Sequence, residues 1–127
     1  MKLSEAKINT TLIDDEIILS SDLLSLYMKS VQSEGNINKT KHTPIFFPTA
    51  LVFGEIFKKY SLPDGTIHLS QKIEFSCPLQ QNSKIYVFAE ITKNLIRSGN
   101  RIISININIY NTQKSLSHKS QCNLLIS

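Results

Sequence analysis

Between residues 46 and 60 the chain reads FFPTALVFGEIFKKY, and a helix built from that segment carries apolar side chains nearly all round. Pro48 fits its first turn, where a missing N–H costs nothing, and Ala50 to Phe53, Ile56, Phe57 and Tyr60 leave no polar stripe for water. Such a helix must be wrapped by other elements on most of its sides. It is too short to cross a bilayer, which takes about 20 apolar residues. No other stretch is longer, and the opening segment MKLSEAKINTTLIDDE has no hydrophobic signal core, so the expectation is a cytoplasmic protein without membrane partners.

What could do the wrapping is set by the change of period after this helix. LPDG at 62 to 65 is a turn, and beyond it the helical spacing gives way to alternation. Ile67, Leu69, Ile73 and Phe75 alternate with His68, Ser70, Lys72 and Glu74, which predicts a half-buried strand with His68 on the polar face. CPLQQNS connects it to a strand with Ile85, Val87, Ala89 and Ile91 on one face. RSGN at 97 to 100 reads as a hairpin turn. Ile103, Ile105, Ile107 and Ile109 then point inward against Ser104, Asn106 and Asn108, NTQK is a second hairpin turn, and residues 115 to 126 supply a last strand. Upstream, INTTLI at 8 to 13 alternates as a first strand. SSDLLSLYMKSVQ predicts a helix over 21 to 33, with Ser21 as N-cap and Leu23, Leu24, Tyr27, Met28 and Val31 on one face. SEGNINKTKHT is a loop.

The order is strand, helix, loop, helix, then four strands joined by short turns. Short connections make neighbours antiparallel, so the expected class is α+β: one antiparallel sheet curled around one very apolar helix. At 127 residues this is a single domain, 1 to 127. Its net charge of +4 is spread along the chain and does not form the dense basic stripe of a nucleic-acid binder. Cys77 and Cys122 are too few and too far apart for a disulfide framework or a zinc site, and both read as buried small residues.

A sheet around a central helix resembles the hot-dog fold. The phrasing is similar to its MaoC-like branch, the (R)-specific enoyl-CoA hydratases and 3-hydroxyacyl-thioester dehydratases. The likeness rests on TPIFFPTALVFGEI as the proline-rich entry to the central helix, on LPDGTIHLSQKIEFSCPLQQNSKIYVFAEIT, and on RSGNRIISININIYNTQKSLSHKSQCNLLI as the closing strands. The resemblance implies action on fatty acyl thioesters, with an acyl-CoA or acyl-carrier-protein thioester as substrate or ligand and no cofactor. It also implies a dimer, either of two copies or with another hot-dog subunit.

One departure bears on activity. Active MaoC-like members carry a catalytic Asp and His in a phrase of the form GDxNPIH, whereas this chain reads SVQSEGNINKTKHTPIFFP, with no Asp between Ser30 and Pro48. Glu34 is the one acid nearby. The carrier-protein dehydratases instead use a phrase of the form HFPxxPxxPGxxxxE. His42, Pro44, Pro48 and Glu55 echo it, with spacing off by about one residue and Thr49 where the glycine would stand.

The chemistry asks for one group to move a proton at Cα, another to position water at Cβ, and a donor aimed at the thioester oxygen. His42 and Glu55 are candidates for the first two; in the alternative reading His42 is an exposed loop residue and Glu55 faces solvent or a partner. His68 is a third catalytic candidate, or else a surface residue. His118 packs. Lys58 and Lys59 could meet a phosphate of coenzyme A or phosphopantetheine, or simply complement the helix C-terminus. Three functions stand open: a hydratase or dehydratase; an inactive hot-dog subunit that binds acyl thioesters or pairs with an active homologue; and a thioesterase, for which no nucleophile presents itself.

Overall fold

The computed structural model describes residues 2–30 and 46–126. Within them the elements are β1 (Thr11–Ile18), α1 (Ser21–Ser30), α2 (Phe47–Lys59), β2 (Ile67–Phe75), β3 (Lys84–Arg97), β4 (Asn100–Tyr110) and β5 (Leu116–Ile126), preceded by a single 3₁₀ turn at Leu3–Glu5. The five strands form one sheet in the order β1-β3-β4-β5-β2, every pairing antiparallel. The expected sheet and central helix are both present.

Local chemistry explains most of the element boundaries. The first strand starts later than its alternation suggests, because Asn9 takes φ of 70° and breaks the extended run before Thr11. The N-cap of α1 is Ser20, not Ser21: its Oγ accepts from the Leu23 N–H at 3.1 Å. Residues 31–33 of that expected helix lie outside the described residues. Leu24 is buried and Leu23 is exposed on α1. The turn between β3 and β4 falls at Ser98 and Gly99, with φ of 53° and 81°, the left-handed pair that a two-residue hairpin needs. At the next turn the Asn111 side chain accepts from the Ser115 N–H, and Lys114 takes φ of 65°.

The core lies between the inner face of the sheet and α2. Ile85, Val87, Ala89 and Ile91 of β3 and Ile103, Ile105, Ile107 and Ile109 of β4 are all buried there, as their alternation predicts. Val52 and Ile56 of α2 pack into the same cluster. Across the strands the inner residues line up in rows: Val87, Ile109, His118 and Phe75; Ala89, Ile107, Ser120 and Ile73; Ile91, Ile105, Cys122 and Gln71. A polar tie holds the N-terminal turn, where Asn94 Nδ2 donates to the carbonyls of Ser4 and Ala6 and Leu3 is buried.

The wrapping of α2 is incomplete. Phe47, Pro48, Thr49, Val52 and Ile56 are buried, whereas Ala50 and Phe57 are exposed and Phe53 is half-buried. β2 is the reason. As an edge strand paired, among the described residues, only with β5, it leaves Ile67, Leu69 and Phe75 about half exposed.

Candidate functional site

The ladder between β2 and β5 slips by one residue. His68 pairs with Leu124 and Ser70 with Asn123, so Leu69 is an extra residue on the β2 side, a β-bulge. Leu124 is buried on the inner face, and the bulge therefore turns His68 inward and leaves Ser70 outward. Strict alternation would have put both on one face. The inner row of β2 is consequently His68, Gln71, Ile73 and Phe75, and the expectation that His68 shares a face with Ser70 is corrected, although His68 and Gln71 are both exposed at the open side of the sheet. Ile67, expected inward, pairs with Leu125 and is exposed.

Between that inner row and the uncovered side of α2 lies a cavity of about 780 Å³. Its α2 wall is aromatic, with Phe46, Phe53 and Phe57, and Ile73, Leu124 and Leu62 add aliphatic surface. Two polar side chains enter this apolar chamber from β2, His68 and Gln71, and Cys122 lies across from Gln71 in the ladder. The Nε2 of His68 is 3.1 Å from the carbonyl oxygen of Ser70. An apolar chamber with a few polar groups on one wall suits a chain-like molecule that carries one functional group. Gln71 was missed in the sequence, although its parity with Ile73 and Phe75 was the available signal.

Cys122 is inert here. Burial pushes its thiol up from about 9 to about 11, because the apolar wall disfavours thiolate. At pH 8 its alkylation by iodoacetamide, followed by mass spectrometry of the peptide, should run about a hundredfold slower than for an unburied thiol. The rate should rise about tenfold per pH unit up to about pH 11. A rate like that of an open thiol would show that the wall is not closed over it. Cys77, expected buried, is only half-buried, within 3.5 Å of the Leu116 carbonyl.

The other candidates sit elsewhere. Glu55 faces a second groove, formed with Leu23, Phe47, Ala50, Leu51, Gly54 and Lys58, and its carboxylate pairs with Lys58 Nζ at 3.1 Å. It is not part of the cavity wall that holds His68. Lys59 is exposed. His42, Pro44 and Glu34 lie outside the described residues, so the structure does not bring His42 and Glu55 together or hold them apart. Thr49 is buried, and its hydroxyl has no hydrogen-bond partner among the described residues. His118 packs as expected, edge-on to Phe75 at 5.3 Å with Nδ1 2.8 Å from the Ser117 hydroxyl.

No protein-family model and no curated protein matches the sequence. Solved structures do match the fold. The C-terminally truncated HadBC (3R-hydroxyacyl-ACP dehydratase) complex of Mycobacterium tuberculosis aligns with a TM-score of 0.74 at 15% identity, over 97% of this chain and 99% of that one. An unliganded (R)-hydratase of Pseudomonas aeruginosa aligns with a TM-score of 0.74 at 14% identity, over 97% of this chain and 83% of that one. A MaoC-like dehydratase of Rhodospirillum rubrum aligns with a TM-score of 0.69 at 8% identity, over 99% and 96%. The fold is the hot-dog fold, in the form these dehydratase and hydratase structures share. No helix among the described residues is long and apolar enough to cross a membrane.

Proposed function

We propose that the cavity between α2 and β2 receives the acyl chain of a fatty acyl thioester, on coenzyme A or a carrier protein, and that this cytoplasmic protein is an (R)-hydratase or 3-hydroxyacyl-thioester dehydratase. The observation that carries the reading is the chamber itself. An aromatic and aliphatic wall of this size matches an acyl chain, and His68 and Gln71 on one side offer a proton-transferring and a hydrogen-bonding group for the reactive end. The hot-dog structures described above, named as dehydratases and hydratases, support the same class.

In the hydration direction, the hydroxyl of water bonds to Cβ of an enoyl thioester and a proton goes to Cα. Of the three candidates for moving protons, His68 faces the cavity, Glu55 faces the other groove, and His42 lies outside the described residues. The basic end of α2 at Lys58 and Lys59 would serve a phosphate, although Lys58 is already paired with Glu55.

A second reading keeps the binding and drops the turnover. Glu55 is tied to Lys58 away from the cavity, which favours a subunit that holds acyl chains while a homologous partner supplies the catalysis. In both readings the free edge of β2 joins a second chain: it presents Ile67, Leu69 and Phe75 about half exposed, contains no proline, and forms the open side of the chamber.

Spectrophotometric assay with crotonyl-CoA and with medium-chain enoyl-CoA and carrier-linked substrates decides between the readings. Turnover is expected, and light scattering at micromolar concentration should give the mass of a dimer. Absence of turnover on every substrate, with acyl-CoA binding retained by calorimetry, would leave the binding subunit. Absence of both, or a monodisperse monomer, would remove the proposal.

A further inference from the structure

Three polar side chains cross the outer face of the sheet in one row at the bulge. Ser104 on β4 pairs with Asn123 on β5, and Asn123 with Ser70 on β2. The Ser104 hydroxyl donates to Asn123 Oδ1 at 2.5 Å, and Asn123 Nδ2 donates to the Ser70 hydroxyl at 2.8 Å. Ser104 is buried, so the row is anchored on the centre of the sheet and reaches out to its free edge. It ends at Ser70, the residue whose carbonyl oxygen lies 3.1 Å from His68 Nε2.

A carbonyl oxygen can only accept. In that contact Nε2 must therefore carry the hydrogen, and in the neutral ring the lone pair is left on Nδ1. No hydrogen bond to Nδ1 occurs among the described residues. The bulge thus turns His68 to the cavity side, and the contact with the Ser70 carbonyl sets which nitrogen is the base; the row ties Ser70, through its hydroxyl, to the centre of the sheet.

We propose that Asn123 is a positioning residue for His68, whose Nδ1 exchanges the proton with the occupant of the cavity. This rests on the hydratase reading above. In the hydration direction, water passes a proton to Nδ1 as its oxygen bonds to Cβ, and the π pair of the double bond moves toward the thioester as an enolate. The imidazolium then returns the proton to Cα. One water is added and the ring ends neutral, so no further reactant is needed.

The test uses the full chain labelled with ¹⁵N-histidine, as wild type, His68→Gln and Asn123→Ala. The wild type should show the ring ¹⁵N shifts of the Nε2–H tautomer, a signal that His68→Gln removes. Asn123→Ala should lose this signal while the amide resonances of β3 and β4 stay in place. With crotonyl-CoA, His68→Gln should lower kcat at least about a hundredfold. Asn123→Ala should lower kcat about ten- to a hundredfold with KM changed less than about twofold, the signature of a misplaced group and not of lost binding. Should Asn123→Ala fail to fold, Ser70→Ala on the exposed edge removes the same link and must give the same result.

An Nε2–H tautomer that survives Asn123→Ala, a kcat lowered by no more than about twofold, or a loss carried by KM overturns the positioning role. An undiminished kcat in His68→Gln overturns the assignment of the base. If the wild type turns over no enoyl thioester, the hydratase reading falls, while the ring ¹⁵N shifts still decide whether the row holds His68.

Discussion

Replacing Ile56 by alanine should lower the free energy of unfolding by about 3 to 4 kcal/mol. Ile56 is buried in the C-terminal half of α2, with no access to solvent, and packs into the isoleucine-rich cluster of the sheet. Truncation removes three carbons from a close-packed site and leaves a cavity that the flanking strands cannot close, since their positions are fixed by ladders on both sides. Alanine's better helix propensity returns only a few tenths of a kcal/mol. Against a total stability of about 5 to 15 kcal/mol, this is a large fraction. Urea denaturation measures it, with the slope expected to stay unchanged. Phe57→Ala, one residue on and exposed toward the chamber, is the comparison: its loss should be clearly smaller, although the side chain is larger. Equal losses would mean that α2 is wrapped on the chamber side as well.

The second large effect is on binding. Ile73→Trp should weaken the affinity for a medium-chain acyl-CoA about a hundredfold or more while the protein stays folded. Ile73 is half-buried on the inner row of the edge strand and lines the chamber. Tryptophan suits a strand, so the ladder with β5 tolerates it, and the bulk goes where an acyl chain would lie. An aromatic side chain buries about 150 to 250 Å² of its own surface, at the expense of surface available to a ligand. Calorimetric titration with acyl-CoA reads the change, and circular dichroism confirms the fold. Unchanged affinity would place the acyl chain elsewhere and remove the chamber from the proposed function.

The fold was legible because its signals are local. The isoleucines of β4 alternate without interruption, and Gly99 sits at a turn whose left-handed backbone favours glycine. The apolar ring around α2 could only belong inside a sheet. The site was less legible because its key feature is not local. A bulge belongs to a pair of strands, and the partner of β2 is β5, at the far end of the chain. Residues 67 to 75 alone give no sign that Leu69 is supernumerary, so alternation placed His68 on the wrong face. The same alternation correctly read would have put Gln71 with Ile73 and Phe75. His42 and Glu55 were paired by their likeness to a motif. The structure shows only one of them, joined to Lys58 and turned toward α1.

The strand order has a consequence for how the chamber opens. β3, β4 and β5 follow one another as hairpins, and each pairs with a strand adjacent to it in the chain. β2 has to be brought to β5 across that whole meander, and once there it buries little. Its separation from the sheet therefore costs less free energy than that of the three strands behind it. In the lone protomer, amide hydrogens of Ile67 to Phe75 should exchange ahead of those in β4, and both a bound occupant and a second chain paired to the free edge should slow them. In the lone protomer the wall that carries His68 thus opens more easily than the core strands, and the chamber can be filled without disturbing the core.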